Sequence, residues 1–274
     1  MSSYTGRSAV ITGAGAGIGR AVAIYLSSLN VNVVLVDVDG NAAEETASLA
    51  TGQSLVVEAD ISRERDVERY LDEGTEKFGP LQMHHLNAGI ISSLGGLPTV
   101  SVEEFDRVMA VNVRGAFLGI RGAMRRLETA VLPGSIVVTT SIHGLRASSD
   151  LIAYQVSKHA LVGLVQAAAM DAAPWNVRVN GIAPGIIPTP MDPVIRADMQ
   201  RRAGTVPMRR SGDVTEIADA VGFLLSDAST YMTGQILSVD GGASIVNSVR
   251  PSGGAGAWDP SEITRAPYSA PNGS

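Results

Sequence analysis

The chain has 274 residues, of which 45% are hydrophobic and 18% charged, a composition typical of one compact domain with a sizeable core. Its formal net charge of -6 gives no electrostatic reason to expect nucleic acid or an anionic membrane surface as a partner. The sequence contains no cysteine, which excludes disulfides, thiolate catalysis and cysteine-ligated metals. No apolar run approaches the length of a membrane span, so we expect a cytoplasmic protein that acts on small molecules.

Short apolar runs rich in β-branched residues alternate with helical patterns along most of the chain. The predicted strands are Ser8 to Thr12, Val31 to Asp37, Leu55 to Ala59, Gln82 to Asn87, Gly134 to Thr140, Asn176 to Ile182 and Gln235 to Val239. The predicted helices are Gly17 to Leu29, Gly40 to Ala50, Arg63 to Phe78, Val102 to Leu127, Leu151 to Ala173 and Val214 to Leu225. This alternation predicts an α/β fold, a single-domain Rossmann-like doubly wound parallel sheet with helices on both faces.

Two segments depart from the alternation. Residues 186–212 are rich in Pro, Met and Arg between a strand and a helix, which predicts a substrate-binding lid. Residues 249–274 are rich in Pro, Gly and Ser and predict an extended tail rather than a packed element. We therefore expect one catalytic domain over residues 1–248, followed by this tail.

A glycine-rich turn follows the first predicted strand, at Thr12–Gly19. Its spacing is G-x-x-x-G-x-G, formed by Gly13, Gly17 and Gly19, with Ile18 between the last two. Glycines at a strand-to-helix turn let the backbone approach a pyrophosphate closely. We assign these four residues to cofactor binding, and a glycine-rich turn without a ligand is the alternative.

The ends of the next strands carry further candidates for cofactor binding. Asp37 ends the second predicted strand, 18 residues after Gly19, where a carboxylate accepts hydrogen bonds from the adenosine ribose and repels a 2′-phosphate. This position favours NAD over NADP, and a helix N-terminal or loop carboxylate is the alternative. Asp60, with Ile61 beside it, follows the third strand and is placed either to reach the adenine or to cap the next helix.

Asn87, Ala88 and Gly89 end the fourth predicted strand. Small residues there let the strand edge lie against a cofactor, although alone the tripeptide indicates only a turn. The same strand contains His84 and His85. Adjacent strand residues point to opposite faces, so the two rings cannot easily chelate one ion; hydrogen-bonded core histidines are expected, and no metal site.

Four polar residues are candidates for the chemistry. Tyr154 and Lys158 share one face of a predicted helix, and a tyrosine, whose free pKa is about 10, needs such a positive neighbour to act near neutral pH. Ser141 follows a predicted strand at the ligand-binding end of the sheet. Asn112 lies inside a predicted helix, where asparagine is unfavourable without a hydrogen-bond partner. The alternatives are a partly exposed Tyr-Lys pair on an amphipathic helix and a serine that only caps a turn.

Taken together and in this order, the motifs resemble those of the short-chain dehydrogenase/reductase family over about Gly6 to Ala243. The resemblance implies that Tyr154 exchanges the hydroxyl proton and that Ser141 polarises the substrate oxygen. It also implies that Lys158 holds the nicotinamide ribose and lowers the Tyr154 pKa, and that Asn112 supports a water-linked proton relay. Direct hydride transfer to or from nicotinamide is the implied chemistry.

The resemblance extends through Val177–Asn180 and Pro184–Gly185, which are similar to the segment of the family that faces the nicotinamide. It implies that Ile187 and Thr189 hold the carboxamide. Members are commonly tetramers built through the long helices, so a homotetramer is expected.

The substrate is less constrained by the sequence. Apolar residues in the lid favour a hydrophobic or cyclic secondary alcohol or ketone, whereas Arg209 and Arg210 fit a structural turn better than an acidic-substrate site. His143 is either a substrate contact or a solvated loop residue. The competing functions are a 3-oxoacyl-thioester reductase, against which Asp37 weighs, and a non-catalytic NAD-binding protein, which has no need of a charge-tuned tyrosine.

Overall fold

The computed structural model describes residue 4, residues 6–190 and residues 203–246. The strands in these ranges are β1 (Ser8–Thr12), β2 (Asn32–Asp37), β3 (Ser54–Glu58), β4 (Met83–Leu86), β5 (Gly134–Thr139), β6 (Val177–Pro184) and β7 (Ile236–Val239). They form one sheet in the order β3-β2-β1-β4-β5-β6-β7, and every neighbouring pair is parallel. The predicted α/β, doubly wound fold is confirmed, and each strand boundary lies within two residues of its prediction.

The α-helices in the described ranges are α1 (Gly17–Ser28), α2 (Gly40–Leu49), α3 (Glu64–Phe78), α4 (Val102–Met109), α5 (Gly115–Ala130), α6 (Ile152–Ala172) and α7 (Val214–Leu225). Alternate residues of each strand point to opposite faces of the sheet. In β1, Ile11 packs in a core with α1 and α7, whereas Val10 packs on the other face in a core with α3. Helices α5 and α6 cover β5 and β6 on that second face.

The single long helix predicted over Val102 to Leu127 is wrong in one respect. Helices α4 and α5 are joined by a π-helical turn at Ala110–Arg114, which contains Asn112 and accommodates one extra residue per turn. The apolar pattern is compatible with either helix type, so periodicity alone did not reveal the turn. Within the described ranges, no helix is long and apolar enough to cross a membrane.

The strand order reverses between β1 and β4, since β2 follows β1 on one side of the sheet and β4 lies on the other. In open parallel sheets, ligands bind outside the carboxyl ends of the strands at this reversal. The predicted tail 249–274 and residues 191–202 of the predicted lid lie outside the described residues.

Candidate active site

A cleft of about 1320 Å³ opens at the carboxyl edge of the sheet, where the strand order reverses. It brings together both groups of candidates predicted from the sequence. Those that line it are Gly13, Gly17, Ile18, Asp37, Asp60, Ile61, Asn87, Ala88, Ser141, Tyr154, Lys158, Pro184, Ile187 and Thr189. Gly19 and Asn112 do not line it, and their contacts explain their positions in the sequence.

The glycine turn requires residues without a side chain. Gly13 and Gly17 adopt positive φ angles of 66° and 54°, a backbone conformation that residues other than glycine rarely adopt. A Cβ on Gly19 would overlap the carbonyl oxygen of Gly13, so Gly19 allows α1 to start close to β1. The N-cap of α1 is Ala16, which has no side-chain acceptor for the first helical amides. This uncapped helix N-terminus fits the pyrophosphate of a dinucleotide.

Asp37 is fixed against the glycine turn. Its Oδ2 accepts a hydrogen bond from the Gly15 amide at 2.8 Å, and its Oδ1 accepts one from the Asp39 amide at 3.1 Å. The helix-capping role that was the alternative for Asp37 belongs to Asp39, whose carboxylate accepts from the Ala42 amide at the start of α2. The Asp37 carboxylate therefore lies in the cleft, at the end of β2.

Asp60 lines the cleft and lies in the turn before α3, but it does not cap this helix, whose N-cap residue is Arg63. Its Oδ1 accepts from the amide and hydroxyl of Ser62 at 3.0 and 2.7 Å, and the Arg63 guanidinium lies 3.2 Å from Oδ2. Burial raises the pKa of Asp60, but the Ser62 hydrogen bonds and the Arg63 charge outweigh that effect, and the net pKa is lowered. Asp60 thus stabilises the turn before α3 while it lines the cleft beside Ile61.

The ends of β1 and β4 are bound together through Thr12 and Asn87. The Thr12 hydroxyl oxygen accepts from the amides of Asn87 and Ala88 at 2.9 and 3.1 Å. The Asn87 side-chain amide donates to the carbonyl oxygens of Thr12 and Gly13 at 3.2 and 3.4 Å. Sequence reasoning missed Thr12 in this role, because its partners lie 75 and 76 residues away in the chain.

Tyr154 and Lys158 lie one turn apart on α6, as predicted. The Lys158 Nζ is 5.4 Å from the centroid of the Tyr154 ring and donates to the Thr139 carbonyl oxygen at 2.9 Å. Only 4% of Lys158 is exposed, and burial lowers its pKa to about 8. The alternative of a partly exposed pair on an amphipathic helix does not hold for Lys158.

Ser141 is buried directly beyond β5. Its Oγ accepts from the His143 amide at 3.1 Å, an arrangement that directs the hydroxyl hydrogen elsewhere and makes it available to a ligand. The His143 ring lies edge-on to the Tyr154 ring, with the centroids 6.0 Å apart, and it lines the cleft. Ser141, His143 and Tyr154 therefore surround one region of the cleft.

Asn112 is buried in the π-helical turn and has the partners that its position required. Its Oδ1 accepts from the Ile90 amide at 2.8 Å, and its Nδ2 donates to the Ile90 carbonyl and to the Ser157 Oγ, both at 2.9 Å. The Ser157 hydroxyl donates to the Tyr154 carbonyl at 2.6 Å. Asn112 thus connects the loop after β4 to the helix that carries Tyr154.

His84 and His85 are buried core residues, in agreement with the sequence prediction. The His84 Nε2 lies 2.9 Å from the Leu81 carbonyl oxygen, and the His85 Nε2 lies 2.9 Å from the Thr139 Oγ1. Burial lowers their pKa values to about 4 and about 3, respectively, so both rings are neutral. The described residues contain no group of three or more His, Asp or Glu side chains that could hold a metal ion.

Strand β6 and the segment after it divide between structural residues and cleft residues. Arg178 donates to the carbonyls of Leu224 and Ser226, and Asn180 donates to the carbonyl of Met232. These two side chains anchor the C-terminal part of the domain rather than face the cleft. Thr189, in contrast, lies against the glycine turn, since its Cγ2 would be 3.1 Å from a Cβ placed on Gly17.

The two described arginines of the predicted lid form local contacts. Arg210 forms an ion pair with Glu216 at 2.7 Å, and Glu216 belongs to the capping box that starts α7. Arg209 donates to the Gly204 carbonyl oxygen. These contacts support the structural-turn interpretation over an acidic-substrate site.

The motifs and the fold agree with those of known proteins. A family model described as Enoyl-(Acyl carrier protein) reductase matches residues 13–244. Levodione reductase of Leifsonia aquatica is 35% identical over 255 residues, covering 88% of this chain and 95% of the relative. Short-chain dehydrogenase reductase 3a of Arabidopsis thaliana is also 35% identical, covering 89% and 97%. Trans-4-hydroxycyclohexanecarboxylate dehydrogenase of Sinomonas cyclohexanicum is 34% identical, covering 88% and 94%.

Solved structures give the same result. Levodione reductase superposes with a TM-score of 0.85 at 34% identity, covering 88% of this chain and 98% of the other. A 3-ketoacyl-(acyl-carrier-protein) reductase of Brucella melitensis, solved with NADH, gives 0.84 at 33%, covering 88% and 100%. NAD⁺-bound xylitol dehydrogenase gives 0.82 at 32%, also covering 88% and 100%. The chain belongs to the short-chain dehydrogenase/reductase family and is an oxidoreductase.

Proposed function

We propose that this enzyme interconverts a secondary alcohol and a ketone, with NAD(H) as the hydride carrier and Tyr154 as the general acid/base. The observation that carries the proposal is the single cleft lined by Ser141, Tyr154 and Lys158 at one end and by the glycine turn and Asp37 at the other. The candidate residues for dinucleotide binding and those for proton exchange with an alcohol thus line the same cleft, which supports the proposal.

The cofactor is proposed to be NAD because a carboxylate, rather than a basic side chain, ends β2 in the cleft. The Asp37 carboxylate would accept hydrogen bonds from the ribose hydroxyls and repel a 2′-phosphate. Two similar solved proteins, the Brucella melitensis reductase with NADH and the xylitol dehydrogenase with NAD⁺, are consistent with this choice. The first amides of α1 would bind the pyrophosphate, and Thr189 lies against the same turn.

The protein groups account for the proton transfer. A bound nicotinamide supplies the hydride acceptor for alcohol oxidation and the donor for ketone reduction. Ser141 donates its hydroxyl hydrogen to the substrate oxygen, and Tyr154 removes or returns the hydroxyl proton. The buried Lys158 ammonium favours the phenolate form of Tyr154, because an opposite charge nearby stabilises the ionised group. Asn112 holds α6 in place through Ser157 and is proposed to support the water-linked relay.

The substrate is proposed to be a hydrophobic or cyclic alcohol or ketone. Beside polar residues such as Ser148 and Asp150, the cleft is lined by several aliphatic side chains, which include those of Ile90, Ile91, Leu94, Ile142, Leu151, Ile186 and Ile187. Such a lining favours apolar ligands, with a few polar groups that orient them. The names of two similar proteins, levodione reductase and trans-4-hydroxycyclohexanecarboxylate dehydrogenase, refer to ring compounds. Residues 186–212 are proposed as the lid of the substrate site on the basis of the sequence alone.

A 3-oxoacyl-thioester reductase is the second candidate function. The Brucella melitensis neighbour, a 3-ketoacyl-(acyl-carrier-protein) reductase, favours it. The description of the matching family model names an enoyl reductase, which acts on a carbon–carbon double bond, and so supports only the acyl-carrier class of substrate. Because that neighbour was solved with NADH, Asp37 does not separate the two functions as sharply as the sequence argument assumed. The choice of substrate distinguishes them.

The test is a screen of the purified protein with NAD⁺ and NADP⁺ against cyclic, aromatic and open-chain secondary alcohols and a 3-hydroxyacyl thioester. We expect NADH formation with cyclic or aromatic alcohols. Tyr154→Phe keeps the ring but removes the proton, so we expect turnover to fall by about 10²-fold or more. NADH binding without turnover of any alcohol would support a non-catalytic protein, and turnover of the thioester alone would support the second candidate.

A homotetramer built through the helices α4 and α5 is proposed from the family resemblance. It is supported by exposed apolar side chains on these helices, since Val102 is 70% and Phe117 46% exposed. A monomeric mass in light scattering would overturn this assembly. A cytoplasmic location is also proposed, with fractionation of the source cells as its test.

A further inference from the structure

We infer that His85, a core histidine of β4, is a positioning residue for the cofactor site. Its side chain does not touch the cleft. It acts on the site through Thr139, whose hydroxyl oxygen lies 2.9 Å from the His85 Nε2 and 3.1 Å from the Asn87 Oδ1. The inference rests on the proposed function, because it concerns the binding of the dinucleotide.

The hydrogen-bond donors in this chain of side chains can be assigned in order. The Asn87 amide nitrogen donates to the carbonyls of Thr12 and Gly13, so Oδ1 is the acceptor left for Thr139. The single hydroxyl hydrogen of Thr139 is therefore directed to Asn87. Its oxygen must accept from His85, which fixes the neutral imidazole as the Nε2–H tautomer. The Nδ1 atom is then an unprotonated acceptor, in agreement with its lack of a hydrogen-bond partner.

Thr139 connects this series of hydrogen-bonded side chains to both ends of the cleft. Its hydroxyl orients Asn87, which contacts the turn at Gly13, while its backbone carbonyl accepts from the Lys158 Nζ at 2.9 Å. A donor at the His85 position holds the Thr139 hydroxyl in the orientation that serves Asn87. Without that donor, the Thr139 hydroxyl loses the bond that holds its side chain in place opposite Asn87, and the turn that binds the cofactor loses one of its supports.

The preceding residue, His84, provides a matched control. Both histidines are buried in the same strand, and each has one ring nitrogen bonded and the other without a partner. His84 is bonded to the Leu81 carbonyl and belongs to the opposite face of the sheet, away from Thr139. A substitution of His84 therefore changes another buried histidine of the same strand without breaking the hydrogen bonds that connect His85 to Asn87 through Thr139.

The experiment compares His85→Gln with His85→Asn by NADH fluorescence titration, with His84→Asn and Thr139→Val alongside. The Gln amide nitrogen reaches the place of the His Nε2, whereas the Asn amide is one methylene shorter and does not. We expect H85Q to bind NADH within about twofold of the native protein. We expect H85N and T139V each to raise the Kd by about tenfold, the effect of one lost hydrogen bond.

Two further results complete the test. The double variant H85N/T139V should bind no more weakly than either single variant, because both changes break the same chain. H84N should lower the Tm of the cofactor-free protein about as much as H85N does while leaving the NADH Kd unchanged. Equal Kd values for H85N, H85Q and the native protein, or additive effects in the double variant, would overturn the inference. Absence of NADH binding by the native protein would instead overturn the proposed function.

Discussion

Asp37 is the residue on which the proposed cofactor preference depends. Its carboxylate is bonded to the amides of Gly15 and Asp39 and lines the cleft. Asp37→Ser should shift the ratio of kcat/KM for NAD⁺ to that for NADP⁺ toward NADP⁺ by about 10- to 100-fold, because a charge-assisted hydrogen bond is lost and a repulsion removed. Steady-state kinetics with both cofactors measure this ratio. Asp39→Ser, which retains a helix cap, should leave it unchanged, and an unchanged ratio in D37S would contradict the assignment.

The buried charge of Lys158 is proposed to be needed for catalysis, although it lowers the stability of the folded protein. Burial lowers its pKa from 10.5 to about 8, so at pH 7 the folded protein holds a charge that its surroundings disfavour. Between pH 8 and 10.5 the unfolded chain binds the proton and the folded protein does not, so this group's contribution to stability rises with pH across that window. Below pH 8 both states are protonated and the full penalty applies.

Lys158→Met should therefore raise the free energy of unfolding at pH 7 by about 1–3 kcal/mol while it abolishes turnover. The gain stays below the full penalty because the Lys158 hydrogen bond to the Thr139 carbonyl is also lost. Urea unfolding at pH 7 and pH 10 measures the difference, which should shrink at the higher pH. A variant that is less stable than the native protein at pH 7 would show that the buried charge is well compensated.

For single residues, the sequence predicted that side chains following the strand ends line the cleft, because the topology places all strand ends of one direction at one edge of the sheet. Thr12, Thr139 and Ser157 were missed as partners within the site. Their hydrogen bonds reach residues 75, 52 and 45 positions away, and no local pattern distinguishes these hydroxyls from other strand and helix residues.

Strand β4 is unusual in carrying two buried histidines with lowered pKa values of about 4 and about 3. Desolvation is the main cause for both, and for His84 the Arg126 charge also lowers the pKa while the Leu81 hydrogen bond opposes the shift. An unfolded histidine has a pKa of about 6.5. Below that pH the unfolded chain binds protons that the folded strand excludes, so stability falls as the pH is lowered toward 4.

The expected slope is about 1.4 kcal/mol per pH unit for each histidine below pH 6. Urea unfolding between pH 6 and 4.5 measures this slope, and His84→Asn should reduce it by about 1.4 kcal/mol per pH unit, the contribution of one histidine. His159→Asn, at an exposed position on α6, is the control that should leave it nearly unchanged. Equal slopes for H84N and the native protein would contradict the burial account.

The π-helical turn between α4 and α5 is a feature that the prediction of helices from sequence missed. Asn112 indicated a specific hydrogen bond, and the structure provides Ile90 and Ser157 as its partners. The sequence did not reveal the change of helix type, because the partners of Asn112 lie 22 and 45 residues away in the chain and leave no local pattern.

For the whole molecule, the alternation of strands and helices was predictable because the central strands are covered on both faces and are mostly apolar. Ile136, Val137 and Val138 of β5 are all fully buried, with helices on either side. The strand order itself was not predicted, since the right-handed rule fixes the hand of each crossover and not the side of the sheet on which the next strand is added. The shape of the cleft was not predictable, since it is formed by side chains from the ends of six different strands and the loops that follow them.

The most direct test of the account is the transfer of deuterium from a cyclic secondary alcohol labelled at its carbinol carbon to NAD⁺. Mass spectrometry of the product should show one deuterium in each NADH, located at nicotinamide C4 by NMR, and Tyr154→Phe should suppress its formation. NADH without the label, or oxidation of the alcohol without any change in NAD⁺, would contradict direct hydride transfer in this cleft.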